Sequence, residues 1–312
     1  MNIALDMMGG DFAPEELVKA VRDYISEKTP AQVSLIGDEQ MLLPLLAQYQ
    51  VPANSYRIIP STEVIGMHEH PLKALKGKPN SSIAIGFKLL ASGKTDAFIS
   101  AGNTGAMLIG SLYTIKPIDG ILRPTIGTIV PMENGATGLL LDVGANADCK
   151  PEHLNQFAML GSLYAKYILG IETPRVGLIN IGEEEGKGNV LAQATYPLLK
   201  SNDQIHFIGN VEGRDIFLDH ADVLVCEGFT GNVILKLAES LHVIMDRQKI
   251  QNEYFDRFNF EDYGGTPVLG VNKPVIIGHG ISRAKAYKNM LLLAEKMIST
   301  QLLEKMASAF KA

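Results

Sequence analysis

Short apolar runs alternate along the chain with longer stretches whose apolar positions recur at helical spacing. The runs Ile3–Asp6, Gln32–Gly37, Arg57–Pro60, Asp96–Ser100, Ile126–Val130, Gly138–Asp142, Val176–Ile181, Ile205–Gly209, Val223–Cys226 and Val275–Ile277 predict strands. Between them, Pro14–Ser26, Glu39–Gln48, Ser81–Ser92, Asn103–Tyr113, Pro151–Ile168, Gly231–Met245 and a long Arg283–Phe310 predict helices. Pro14 and Pro151 suit first turns, and Ser81 or Asn80 suits a cap. This alternation predicts an α/β fold with a mostly parallel sheet. No repeat or low-complexity tract interrupts it. The chain therefore reads as one α/β unit over 1–312, or as two lobes around a cleft.

Six turns rich in Gly, Asn, Ser and charge sit where strand-like runs end: 6–11, 100–105, 142–146, 180–189, 227–232 and 278–283. A parallel sheet places the carboxyl ends of its strands along one edge, where ligands bind against helix N-termini whose free N–H groups suit anions. Glycine admits close approach of backbone, and Asn and Ser supply donors without net charge. The turns predict an active-site edge.

Composition narrows the function. A hydrophobic fraction of 46% suits a buried core, and a net charge of −6 with scattered basic residues argues against a general affinity for nucleic acid. Cys149 and Cys226 are too few for a disulfide framework, and Cys226 lies in an apolar run that buries it. The start Asn2-Ile3-Ala4-Leu5-Asp6 has no basic leader, and no apolar run is long enough to cross a bilayer. A cytoplasmic protein is expected.

Candidate chemistry lies in the turns. Lys187 stands between Gly186 and Gly188 in a loop running from Asn180 to Asn189, so backbone can wrap a ligand while the ammonium supplies a point charge. The same loop equally reads as a solvated surface turn in which Glu183, Glu184 and Glu185 pair with the lysine. Thr230, Gly231 and Asn232 can present donors to an oxyanion or simply cap a helix. His279 can give a proton or bind an anion, or be structural. Asp6 and Asp142 end apolar strands and either take part in the site or hold turns. His68-Glu69-His70 precedes Pro71, which predicts a loop, and lacks a fourth metal ligand. No G-x-S-x-G elbow and no strand–GxGxxG–helix fingerprint is present.

Taken in order, Leu5–Asp11, Lys78–Ser82, Ile99–Ala106, Asp142–Asn146, Pro151–Leu154, Lys187–Asn189, Gly209–Asp215, Gly228–Val233, Tyr263–Gly265 and His279-Gly280 resemble the bacterial phosphate acyltransferases of phospholipid synthesis. That family transfers a fatty acyl group from acyl carrier protein to inorganic phosphate. The resemblance implies a three-layer α/β/α fold related to phosphotransacetylases and isopropylmalate dehydrogenase-like folds. It also implies a homodimer, no metal or organic cofactor, and acyl carrier protein and inorganic phosphate as partners. The implied catalytic set is Lys187, Asn232 and His279. Phosphate or substrate would be held by Asp6, Gly9, Gly10, Gly102, Asn103, Thr104, Gly105, Asp142, Asn146, Asn180, Gly188, Asn189, Thr230, Gly231 and Ser282. Glu227 stands where the family has Asp, and Leu237–Glu261 is shorter than the family's helical segment for dimerisation and membrane contact. Leu237, Leu241 and Ile244 at helical spacing, with Phe255, Phe258 and Phe260, are candidates for core packing or for a partner or membrane surface, so attachment at the inner face of the membrane is expected to be at most peripheral. Two readings compete: a short-chain phosphotransacetylase using acyl coenzyme A, and a non-catalytic anion-binding protein.

Overall fold

The computed structural model describes residues 1–311, except for the side chain of Phe260. The chain begins β1 (Asn2–Asp6), α1 (Glu15–Ser26), β2 (Gln32–Gly37), α2 (Glu39–Gln48), β3 (Tyr56–Pro60), α3 (Pro71–Gly77), α4 (Ser82–Ala91), β4 (Ala97–Ser100) and α5 (Thr104–Gly110), which runs on as a π-helical turn to Ile115. It continues through β5 (Thr125–Pro131), β6 (Thr137–Leu141), α6 (Pro151–Tyr164), β7 (Arg175–Asn180), α7 (Val190–Lys200), β8 (His206–Glu212), β9 (Val223–Val225), α8 (Gly228–Arg247) and α9 (Glu253–Asp256). It closes with β10 (Thr266–Leu269), β11 (Val275–Ile277), α10 (Ala284–Ser299) and α11 (Leu302–Ala309). The α/β architecture and mostly parallel pairing follow the sequence pattern.

Two compact units result. The first joins Met1–Ile118 to Phe260–Leu303, and the second joins Asp119–Asn259 to the segment from Glu304 onward. In the first, strands lie in the order β3-β2-β1-β4-β11-β10, all parallel except β10 against β11. Ile3, Ala4 and Leu5 of β1 and Ala97, Phe98 and Ile99 of β4 are fully buried, as central parallel strands covered on both faces require. Helices α4 and α10 pack on these strands, and Tyr24 of α1 donates to Glu295 of α10 at 2.8 Å.

In the second unit the order is β5-β6-β9-β7-β8, with β5 and β6 an antiparallel pair and the rest parallel. Helix α6 lies on β6 and β9. Arg175, at the start of β7, donates its backbone N–H to Asp222 at 2.8 Å and its Nε and Nη2 to the same carboxylate at 3.0 and 2.9 Å. The backbone N–H of Asp222 returns a bond to the Arg175 carbonyl at 2.9 Å. This clamp sets β7 against β9 at their amino ends. Burial pushes the Asp222 carboxyl up, but the Arg175 hydrogen bonds and charge prevail and hold it below its ordinary 3.8.

Several boundaries differ from the sequence expectation. The long C-terminal helix is two, because the Thr300 hydroxyl donates back to the Lys296 carbonyl at 2.7 Å and Gln301 takes a φ of 53°. His68-Glu69-His70 lies in the expected loop, and Pro71 starts a short helix directly after it, since a proline's missing N–H is harmless in a first turn. Helix α8 begins at Gly228 because Glu227 caps it. The hydrophobic pattern marks neither α7 nor β10, each of which carries an internal proline, Pro197 and Pro267. On α8, Leu237 and Ile244 are exposed, whereas Phe258 is buried against Phe217 and Tyr254 rather than facing a partner. The Phe260 side chain lies outside the described residues.

The clamp makes a stability prediction. Asp222→Asn should lower unfolding free energy by roughly 1.5–3 kcal/mol near neutral pH, the range for hydrogen bonds to a charged group. A depressed carboxyl gives stability that is present above its unfolded value and lost as pH falls through the folded one. The gap between parent and variant in urea unfolding should therefore close as pH drops below 3.8. A gap independent of pH would rule out the charged clamp.

Candidate active-site turns

In the first unit, three turns follow adjacent parallel strands. The carboxylate of Asp6, at the end of β1, accepts the Met8 N–H at 2.9 Å on Oδ1 and the Ser100 hydroxyl at 2.6 Å on Oδ2. Ser100 Oγ in turn accepts the Gly102 N–H at 3.0 Å. Asp11 donates its N–H to the Gly280 carbonyl at 2.7 Å, and Gly278 donates to the Ser100 carbonyl at 2.9 Å. Asp6, Gly9, Gly10, Gly102, His279 and Ser282 are thus drawn to one edge of one sheet. Burial pushes the Asp6 carboxyl above its ordinary value, and hydrogen bonds from Ser100, Ser82, Met8 and Gly9 oppose the rise.

Tyr287, fully buried on α10, locks this edge. Its hydroxyl donates to the Gly9 carbonyl at 3.0 Å. Gly10 has a φ of 100°, and a Cβ there would lie 2.4 Å from the same hydroxyl, so only glycine fits the turn. His279 is half-buried and accepts the Ile281 N–H on Nδ1 at 3.4 Å, which leaves the neutral ring's proton on Nε2. Ser282 is fully buried, and its hydroxyl has no hydrogen-bond partner among the described residues.

The neighbouring turn uses its asparagine internally. Asn103 Oδ1 caps α5 by accepting the Ala106 N–H at 2.9 Å, and Nδ2 donates to the carbonyls of Gly66, Met67 and Glu69 at 3.0, 3.2 and 3.1 Å. What Asn103 can offer a ligand is the turn it holds. Thr104 is exposed at the start of α5, and Gly105 packs on Pro71.

The second unit repeats the device. Asp142, fully buried after β6, accepts the N–H groups of Ile126, Gly144 and Ala145 on Oδ1 at 3.4, 3.2 and 3.0 Å. Its Oδ2 accepts the Asn146 backbone N–H and Nδ2, each at 2.8 Å. Burial pushes its carboxyl up against these donors. Asn146 also donates to Pro124, and its carbonyl accepts the Gly228 N–H at 2.8 Å, so the turn carries the start of α8. Glu227 caps that helix, accepting the Thr230 N–H at 2.7 Å and the Thr230 hydroxyl. Asn232 Nδ2 donates to the Val143 carbonyl at 3.0 Å and keeps a second N–H. Cys226 is buried beneath this turn, and burial raises its thiol well above the ordinary value.

The third turn of this unit frames Lys187. Asn180, at the end of β7, accepts the Ile181 N–H at 2.8 Å and donates to the Lys187 carbonyl at 3.0 Å. The Lys187 N–H bonds the Glu184 carbonyl at 3.0 Å, and Asn189 caps α7 through the Ala192 N–H at 2.8 Å. Gly188 completes the bend beside Asn180. The acidic neighbours turn elsewhere: Glu185 pairs with Lys200 at 2.9 Å and Glu183 with Arg214 at 3.7 Å. The exposed Lys187 ammonium has no ion pair among the described residues. The backbone is fixed and the charge is not neutralised.

Ser100 and Tyr287 escaped the sequence reading as working residues. Tyr287 lies in the first turn of α10 with no local motif, 278 residues from its partner Gly9. Among the described residues, no group of three or more His, Cys, Asp or Glu side chains could hold a metal ion, and no helix is long and apolar enough to cross a membrane.

The family model described as "Fatty acid synthesis protein" matches residues 1–305. A phosphate acyltransferase of Dictyoglomus thermophilum is 44% identical, over 97% of this chain and 95% of its own. One from Desulfitobacterium hafniense is 46% identical over 97% and 96%. Among solved structures, a phosphotransacetylase from Streptococcus pyogenes superposes with a TM-score of 0.68 at 20% identity, covering 97% of this chain and 94% of that one, a likeness of fold.

The packing of α8 on the Asp142 turn is testable. A Cβ at Gly231 would lie 1.8 Å from the Asp142 carbonyl oxygen. Gly231→Ala should therefore cost about 1–3 kcal/mol of stability, as overpacking does, and lower turnover with it. Gly186→Ala, where a Cβ meets nothing within 4 Å, should leave the melting temperature unchanged. Equal melting temperatures for both variants would refute the packing argument.

Proposed function

This chain belongs to the fatty acid synthesis protein family, as a phosphate acyltransferase and thus an enzyme of acyl transfer to phosphate, and we propose that its donor is an acyl carrier protein thioester and its product an acyl phosphate for phospholipid synthesis. The observation that carries this reading is the Lys187 loop: an unpaired ammonium on a backbone locked by Asn180 and Asn189. The family's description as a fatty acid synthesis protein supports a fatty acyl group held on a carrier thiol.

The chemistry asks little of a base. Near neutral pH a substantial share of inorganic phosphate is the dianion, which attacks the thioester carbonyl directly. A C–O bond forms, the carbonyl electrons move to oxygen, and their return breaks the C–S bond. The protein must orient phosphate, stabilise the oxyanion and protonate the departing thiolate. In this reading Lys187 stabilises the developing negative charge, and the second N–H of Asn232 is a donor to phosphate or the oxyanion. His279, acting as the imidazolium, gives a proton to sulfur and returns to the neutral ring. Turn amides of the glycine segments hold the phosphate. These groups supply the charge and donors required, so the reading calls for no metal or organic cofactor. The proposed assembly is a cytoplasmic homodimer with peripheral membrane contact.

The test is a phosphate-dependent assay offering the same acyl group on acyl carrier protein and on coenzyme A, reading free thiol and hydroxylamine-reactive acyl phosphate. The carrier substrate should be preferred. Preference for coenzyme A would make this a phosphotransacetylase, and binding without thiol release would make it an anion-binding protein. Within the same assay, Lys187→Ala should lower turnover roughly 10²–10³-fold, the loss expected for an oxyanion-stabilising group, with an unchanged melting temperature. Lys187→Arg should recover part of it, a planar fork replacing a point charge. Near-normal turnover of Lys187→Ala would return the loop to a surface role.

A further inference from the structure

We propose that the surface from Met67 to Lys76, presented by α3 and the turn before it, is where an acidic carrier protein docks to deliver its acyl group. The inference rests on the reading that the donor is an acyl carrier protein thioester.

Helix α3 has two unlike faces. Ala74 is buried, while Leu72, Lys73 and Lys76 share the exposed side by their i,i+3 and i,i+4 spacing. Lys78, one turn on, is engaged: its ammonium meets Glu69 at 2.6 Å and the Val64 carbonyl at 2.8 Å. Lys73 and Lys76 have no such partner among the described residues. In the same short segment Leu72 is 38% exposed and Met67 46% exposed, so it presents both apolar side chains and unneutralised cations to solvent. In a chain of net charge −6, residues 67–78 hold three lysines against one glutamate. Exposed cations around a small apolar centre suit a partner with carboxylates around an apolar ridge.

The surface is also built to be rigid, and it is tied to the first unit's turns. Asn103 gathers the carbonyls of Gly66, Met67 and Glu69, and Glu69 returns a bond by accepting the Gly66 N–H at 2.7 Å. A Cβ on Gly105 would come within 2.4 Å of the Pro71 ring, and one on Gly280 within 3.3 Å of the Met67 methyl group. The docking face is thus fastened to the turns at 100–105 and 279–280. A partner seated on it meets a preorganised surface, which lowers the ordering entropy of binding.

The double variant Lys73→Glu/Lys76→Glu tests this. Reversing two charges at an interface rim should raise KM for acyl carrier protein about tenfold and flatten the salt dependence of kcat/KM. Turnover of the same acyl group on free pantetheine should stay unchanged. The milder Lys73→Gln/Lys76→Gln should shift KM in the same direction by less. If parent enzyme uses the carrier substrate and the Glu variant keeps the parent KM, the docking surface is wrong and the donor reading stands. If parent enzyme turns over only the pantetheine thioester, the donor reading fails and the proposal with it. Loss of binding to phosphatidylglycerol vesicles with an unaltered KM would assign the surface to lipid and overturn the proposal.

Discussion

Two carboxylates held out of water organise both candidate edges. Leaving Asp6 or Asp142 buried without donors would cost several kcal/mol, so the chain must bring N–H and O–H groups to them. The groups that come are those of the turns: Met8 and, through Ser100, Gly102 in the first unit, and Gly144, Ala145 and Asn146 in the second. Each turn is shaped by what a carboxylate demands. The same demand explains the asparagines, since Asn103, Asn146 and Asn180 satisfy backbone that the bends would otherwise leave unpaired.

A division of labour follows between residues that hold the edge and residues left to act. Asp6, Asp142, Asn103, Asn146, Thr230 and Tyr287 have their polar atoms on protein partners. Lys187, the second N–H of Asn232 and the Ser282 hydroxyl do not. Groups of the first kind lose function through lost structure, and those of the second kind through lost chemistry. Melting temperature and turnover distinguish the two kinds.

Much of this was legible from the chain. Strand ends followed by Gly-Asn turns located every segment that forms the two edges, because an apolar run followed by bend-forming residues leaves little choice of local structure. Ser81 as the cap of α4 and Pro151 at the start of α6 were legible for the same reason. Other features were not. Whether Asp142 meets a ligand or its own turn depends on where Asn146 and Ile126 arrive, which spacing does not encode. Tyr287 works through a contact far away in sequence. Gln301 breaks the last helix although nothing in its identity forbids a helix, and Pro197 sits inside one that its identity argues against. Tertiary packing decides such positions.

The return of the chain to its first unit bears on biosynthesis. Strand β4 pairs with β1 on one side and with β11 on the other, and β11 and Tyr287 leave the ribosome only after the whole of 119–259. Until then the apolar strand Ala97–Ser100 presents an open edge, the kind that templates unwanted pairing. The second unit, by contrast, has its 119–259 segment made before that closing piece emerges and then lacks only the short segment from Glu304. A nascent chain therefore carries an unfinished first unit throughout the synthesis of 119–259, and a fragment stopped short of α10 cannot set the Gly9–Gly10 turn. The order of the sequence thus delays completion of the first unit's edge until α10 has emerged.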